Sequence, residues 1–294
     1  MKLRAVLRSI VTLLFGALTL GAVTSFAGDL PEIKKAGVLR HIGVPYANFV
    51  SGSGDGMDVE IIKLFAKQLG VRYEFVQSDF GTVVESLIGK KVKVVGNEIE
   101  FGETVPVKGD LIANGFTVLP WRQKVVDFSA PTFPNQIWLV ARADSPLKPI
   151  KSKNLQKDIA LTRSLLKDRK VIAIPKTCLD PVINKLDDTG ADVVIYDGNL
   201  NEVVPALVNK KAELTILDVP DALVGLDKWP GKIKIIGPTS NKQTMAVAFP
   251  KDSPQLRDAF NEFLKKIRKD GTYDRILKKY YPTVVSYFPE FFKK

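Results

Sequence analysis

Cysteine and histidine are almost missing from this chain of 294 residues, which has one of each, Cys178 and His41. A lone thiol closes no internal disulfide, and one thiol with one imidazole supplies no metal-ligand spacing. The fold must therefore be held by its apolar core, and no metal or other cofactor is expected. A single histidine also leaves little for proton transfer, and His41 falls inside an apolar strand pattern, where a structural role is expected. A G-x-S-x-G elbow, a phosphate-binding glycine loop and a paired-histidine metal motif are all absent, so no catalytic residue is assigned. Basic residues are abundant, 43 against 32 acidic ones, yet no run of them exceeds two. That scatter argues against nucleic acid as a partner and for solubility, or for attraction to anionic surfaces and solutes.

Long apolar runs are also scarce. One lies at the start, Ile10 to Val23, preceded by Lys2, Arg4 and Arg8 and followed by Ser25-Phe26-Ala27. This is the pattern of a secretory signal peptide over residues 1–27, cleaved near Ala27, and it is too short and too interrupted to read as a membrane span. Its removal takes the formal charge from +11 to +8 by deleting those three cations. No cysteine marks the cleavage site for lipid attachment. The remaining chain, in a sequence 45% hydrophobic, is long enough for two lobes.

What is present reads as strand–helix–strand units, the grammar of parallel α/β sheets. Val38–Val44 is a short strand ending at Pro45-Tyr46. Ligands of open α/β sheets bind at the carboxyl ends of strands, so Tyr46 either covers a solute or packs its own loop. Residues 57–69 put Val59, Ile62, Phe65 and Leu69 on one helical face, and Gly70 ends the helix. A strand over 71–76 and a helix over 81–87 follow. Residues 92–108 then carry two short strands about Gly96-Asn97, a β-hairpin signal. Because it joins a helix end to a strand start, this hairpin is expected on the face away from any ligand crevice. Further strands are read at 111–114, 136–142, 171–174, 192–196, 213–217 and 232–237. A helix is expected to start within 175–180, a loop over 225–234, and amphipathic helices over 254–270 and 273–281.

The stretch GFTVLPWRQKVVDFS, 115–129, sets Thr117 and Arg122 five residues apart around Pro120, where a helix can start. Free N–H groups at such a turn favour an anion, and the guanidinium fork of Arg122 fits a carboxylate or phosphate. The alternative is a surface arginine paired with Asp127 or a nearby glutamate. Phe80 and Phe116 are read as apolar walls of a small-molecule site or as core, and Trp121 as a rim residue.

The run Gly115, Thr117, Pro120, Arg122, Val126-Asp127-Phe128-Ser129 resembles a motif of the bacterial extracellular solute-binding proteins of the polar amino-acid type. The helices GMDVEIIKLFAKQLGV (56–71) and DGTYDRILKKYY (270–281) are similar to the first and last helices of that family. Leu119 departs from it, standing where threonine usually caps the helix. The resemblance implies a two-lobed α/β periplasmic binding protein fold of type II, with a ligand cleft between lobes and two crossover strands near Pro134 and Lys242. Residues 28–133 plus 242–294 would form lobe 1, with the 92–108 hairpin inserted, and 134–241 lobe 2.

It further implies a ligand carboxylate held by Arg122, Thr117, Gly115 and Thr177, and a ligand ammonium held by Asp218. The alternative for Asp218 is a helix N-cap before Pro220. Lys176 replaces a usual glycine and either favours a solute with a second negative charge or is a solvated surface lysine. The implied function is periplasmic binding of an amino acid or related carboxylate for an ABC transporter permease, by a monomer and without catalysis. The alternatives are an enzyme on the same scaffold, of cyclohexadienyl-dehydratase type, or a solute sensor. The aromatic tail, Tyr287, Phe288, Phe291 and Phe292, is expected to pack on the first lobe.

Overall fold

The computed structural model describes residues 28–292 apart from Ser53; the signal-peptide reading lies outside them. Two five-stranded sheets make two lobes. The first contains β1 (Val38–Gly43), β2 (Arg72–Gln77), β5 (Leu111–Ile112), β6 (Val126–Phe128) and β14 (Ala248–Pro250), in the order β2-β1-β5-β14-β6. The second contains β8 (Ile137–Arg142), β9 (Lys170–Ala173), β10 (Asp192–Ile195), β11 (Leu214–Asp218) and β12 (Ile233–Pro238), in the order β10-β9-β11-β8-β12. In each sheet four strands run in one direction and a single strand, β14 in the first and β8 in the second, runs antiparallel to its neighbours. The lobes are joined by β7 (Phe133–Asn135) and β13 (Gln243–Met245), which pair antiparallel as the two crossover strands.

The helices follow their apolar faces. In α2 (Met57–Leu69), Met57, Ile61, Ile62 and Phe65 are buried while Lys63 and Lys67 are exposed. In α8 (Pro254–Lys269), Leu256, Phe260, Phe263, Leu264 and Ile267 form one buried stripe. Phe65 and Phe249 meet Phe260 at ring separations of 5.3 and 5.8 Å, tying helix to helix and helix to sheet. His41 is buried in β1. Its Nε2 donates to the Ala113 carbonyl at 2.5 Å, which leaves Nδ1 to accept from the Tyr73 hydroxyl at 2.9 Å. Burial lowers its pKa to about 4, so it serves as a neutral structural bridge.

Four expectations are corrected. Residues 175–186 form turns rather than a helix start. Lys176 and Lys185 adopt positive φ there, and the Asp180 carboxylate accepts from the backbone N–H groups of Lys176 and Val182. Gly225 lies inside α7 (Val219–Lys228), whose buried face Val219, Ala222 and Leu223 precedes the glycine and whose Leu226 carries the packing past it. The tail packs across to the second sheet, where Phe288 stacks on Trp138 of β8 with ring centroids 6.0 Å apart, while Tyr287 is 43% exposed.

The fourth is the hairpin, β3 (Lys90–Val95) and β4 (Glu98–Thr104). Its base lies by α3 (Val83–Ile88), where the Lys108 and Val105 N–H groups donate to Ser86 and Gly89. Its tip faces the second lobe: a Cβ built on Gly96 would lie 3.6 Å from Cγ1 of Val182. Six residues of strand span roughly 20 Å, enough to carry a hairpin rooted at the distal edge back to the cleft side.

Candidate functional site

Every candidate side chain but one sits at, or just beyond, the carboxyl end of a parallel strand or its following turn: Tyr46 after β1, Phe80 after β2, Gly115 to Thr117 after β5, Lys176 to Cys178 after β9, Asp218 at the end of β11. Arg122 is the exception, held by the short helix α4 (Pro120–Val125). Pro120 starts that helix, and Leu119 provides no side-chain cap. With six residues, α4 contributes little field, so an anion site here depends on the arginine itself.

Arg122 is 2% exposed. Its guanidinium lies 3.8 Å from the ring centroid of Phe116, itself fully buried, and Nη1 donates to the Thr117 carbonyl at 2.9 Å. Nε is buried without a partner. Asp127, the sequence alternative, pairs instead with Arg257 at 2.9 Å and Lys251 at 3.5 Å. Among the described residues no carboxylate forms an ion pair with Arg122. Burial lowers its pKa to about 10. A buried cation without a counter-charge is unfavourable, and an incoming anion relieves it.

The loop before it is rigidly built. Gly115 has φ +62°, and a Cβ there would come within 2.3 Å of the Phe49 ring, so only glycine fits. Its N–H donates to Asp58 of α2 at 2.7 Å. Asp58 is buried, and burial raises its pKa to about 7, with the Gly115 N–H opposing. The Thr117 hydroxyl accepts from Asn135 of β7 at 3.2 Å, and the Asn135 carbonyl oxygen accepts from the Val219 N–H at 3.2 Å. Asn135 thus couples the loop of the first lobe to the start of α7 in the second.

Asp218 takes up the N-cap alternative of its two sequence readings. It N-caps α7 through the Asp221 N–H at 3.4 Å, with Pro220 in the first turn. It also faces the first lobe, where the Tyr46 hydroxyl donates to Oδ1 at 2.5 Å; the Cys178 thiol donates to Oδ2 at 3.1 Å. A carboxylate accepts about four hydrogen bonds, so capacity remains. Asp221 lies one turn on, buried, with Oδ2 unpartnered. Burial raises both carboxyl pKa values, and the Asp218 charge raises that of Asp221 further. Burial likewise raises the Tyr46 and Cys178 pKa values, so thiol and phenol stay protonated donors.

The other candidates divide. Phe80 stands edge-on to the Tyr46 ring at 5.6 Å and helps line an interlobe cavity of about 520 Å³ with Lys176, Thr177, Tyr196 and Asp197. Thr177 is buried, but it heads no helix; its hydroxyl donates to the Ile174 carbonyl at 2.9 Å and accepts from the Leu179 N–H at 3.0 Å. Its side chain braces the turn. Lys176 is exposed at the cavity mouth. Trp121 is 6% exposed rather than a rim residue, because the hairpin covers it.

Residues 106–283 match the bacterial extracellular solute-binding proteins, family 3. The chain belongs to that family. This solute-binding protein is 28% identical over 283 residues to the lysine/arginine/ornithine-binding periplasmic protein of Escherichia coli, covering 92% of this chain and 95% of that one. A mutant of ArgBP from T. maritima has the same fold at TM-score 0.67 and 27% identity, covering 86% of this chain and 99% of the other. An ancestral arginine-binding protein bound to arginine gives TM-score 0.65 at 27% identity, covering 83% and 98%.

Asp58, Asn114, Asn135, Asn201 and Asp221 of this solute-binding protein were not singled out from sequence. Asn114 is fully buried with both amide atoms unpartnered, directly before Gly115. Asn201 bridges the lobes, accepting from the Ala47 N–H at 3.0 Å and donating to the Pro45 carbonyl at 3.4 Å. Asp58 was detectable as an acid at a helix start otherwise packed with apolar residues. Asp221 was detectable as a second acid three residues beyond Asp218.

Proposed function

We propose that this protein binds one α-amino acid between its lobes in the periplasm and delivers it to an ABC permease. The lobes are taken as 28–133 plus 242–294 and 134–241, the first 27 residues as a removed leader, and the working unit as a monomer. The solute's carboxylate engages Arg122 and the loop N–H groups of 115–117, and its ammonium engages Asp218 and Asp221. The observation that carries this reading is a pair of unpartnered ionisable groups. Arg122 Nε in the first lobe and Asp221 Oδ2 in the second are buried without partners, and a zwitterion supplies the complement of each.

Closure about β7 and β13 accounts for burial of both groups, and a permease then recognises the closed shape. The relatives' names make arginine, lysine, ornithine and histidine the first solutes to screen. The relatives are named as binding proteins, and binding without turnover is the reading adopted. The test is a thermal-shift screen of residues 28–294 against amino acids, dicarboxylates and simple amines. An α-amino acid should raise the melting temperature, since a ligand of the folded form alone must stabilise it. A shift produced by amines or dicarboxylates and by no amino acid would overturn the zwitterion reading.

A further inference from the structure

We propose that the β3–β4 hairpin is a clasp that reaches from the first lobe to the second and biases the cleft toward closure. The hairpin is fastened twice to the first lobe. The Val92 N–H donates to Glu85 of α3 at 3.1 Å, and Lys124 of α4 donates to the Asn97 carbonyl at 2.8 Å and pairs with Glu98 at 3.2 Å. The second fastening lies two residues from Arg122, so the clasp is rooted on the helix that holds the anion site.

The same turn also meets the second lobe. The turn glycine Gly96, at φ +61°, presents bare backbone toward Val182. Val92, Val94 and Ile99 on its inner face pack on the same first-lobe apolar cluster as Ile183 of the second lobe. Ile183 thus buries part of itself against the opposite lobe beside the hairpin. This contact lies apart from the crossover strands and from the Tyr46–Asp218 and Asn201 bridges, so it adds a separate tie across the cleft.

The clasp is releasable. Behind its tip lies a cavity of about 440 Å³ lined by Phe80, Trp121, Val94, Phe101 and, from the second lobe, Lys176. The tie is therefore made at the tip and is not cemented along the hairpin's length. Val182 keeps 56% of its surface exposed. Burial worth one or two methyl groups shifts an open–closed equilibrium by roughly three- to tenfold, a bias and not a lock.

The test needs no ligand and so is independent of the solute assignment. In Asn97→Cys/Val182→Cys, with Cys178 buried and left in place, a short bismaleimide should link the two lobes within one molecule. That linkage should be at least about tenfold faster than coupling between molecules, since tethered neighbours have millimolar effective concentration. Val182→Asp, which sets a carboxylate against the Gly96 turn, and a chain with 92–104 shortened to a Gly-Ser turn should both widen the lobe separation in small-angle scattering. Absence of intramolecular linkage, or an unchanged radius of gyration in Val182→Asp, would overturn the clasp.

Discussion

Arg122→Met separates the two consequences of a buried, unmatched cation. Burial brings the Arg122 pKa down to about 10, and at about 1.4 kcal/mol per pH unit the folded protein gives up roughly 3 kcal/mol to keep the charge. That penalty is fully present below pH 10 and is relieved only as the pH rises above it, so it is fully felt near neutrality. Methionine removes it and loses two compensations. The hydrogen bond to the Thr117 carbonyl is worth about 1 kcal/mol, and the stacking on Phe116 at 3.8 Å is worth about 0.5–2 kcal/mol. The net effect on the unliganded protein is a change between about zero and +2 kcal/mol in stability. Truncation of a buried side chain ordinarily costs about 2–5 kcal/mol, so the sign distinguishes the cases. Affinity should move oppositely, falling by about 2–5 kcal/mol, or tens- to thousands-fold, because the ligand carboxylate is left buried and unpaired. Urea unfolding reads the first quantity and calorimetric titration the second. A stability loss beyond about 2 kcal/mol would show that the guanidinium is already satisfied, and wild-type affinity would remove the anion site.

Three further outcomes follow from the buried carboxyls. Asp58, raised to about 7, loses stability as pH rises from 3.8 to 7, while His41, lowered to about 4, gains it between 4 and 6.5. Those two largely cancel, so the raised Asp218 and Asp221 should leave the unliganded protein less stable at pH 8 than at pH 5 by denaturant unfolding. Asp221→Asn should flatten that slope, and an unchanged slope would reject the carboxyl pair as its origin. An ammonium ligand stabilises ionised Asp218, so binding should release protons and tighten as pH rises; titrations in two buffers of different ionisation enthalpy would give equal heats if no proton moves.

The elements were legible because their periodicities are clean. The α2 boundaries, the Gly96-Asn97 turn and eight of the ten strands of the two sheets coincide within about two residues with the apolar patterns that predicted them, whereas the short β6 and β14 carried no such pattern. Arg122 and Asp218 were legible because each follows a recognisable strand or proline signal. What was hidden depends on contacts distant in sequence. Asp58 meets Gly115 across 57 residues, Tyr46 meets Asp218 across 172, and Asn201 reaches Ala47 across 154. No local pattern reports such pairs. The hairpin's direction was missed because loop position fixes only where its base lies, while its length decides where its tip arrives. Trp121 was misread for the same reason, since its cover comes from that hairpin.

The central claim is that the two lobes hold the two ends of one zwitterion. It is tested most directly by calorimetric titration of wild type and Asp218→Asn with an α-amino acid found by the screen and with its des-amino analogue. Wild type should prefer the amino acid by about 2–5 kcal/mol, at least tens-fold, and Asp218→Asn should lose most of that preference while still binding the shared carboxylate. An undiminished preference in Asp218→Asn would contradict the account, because the ammonium would then be held elsewhere.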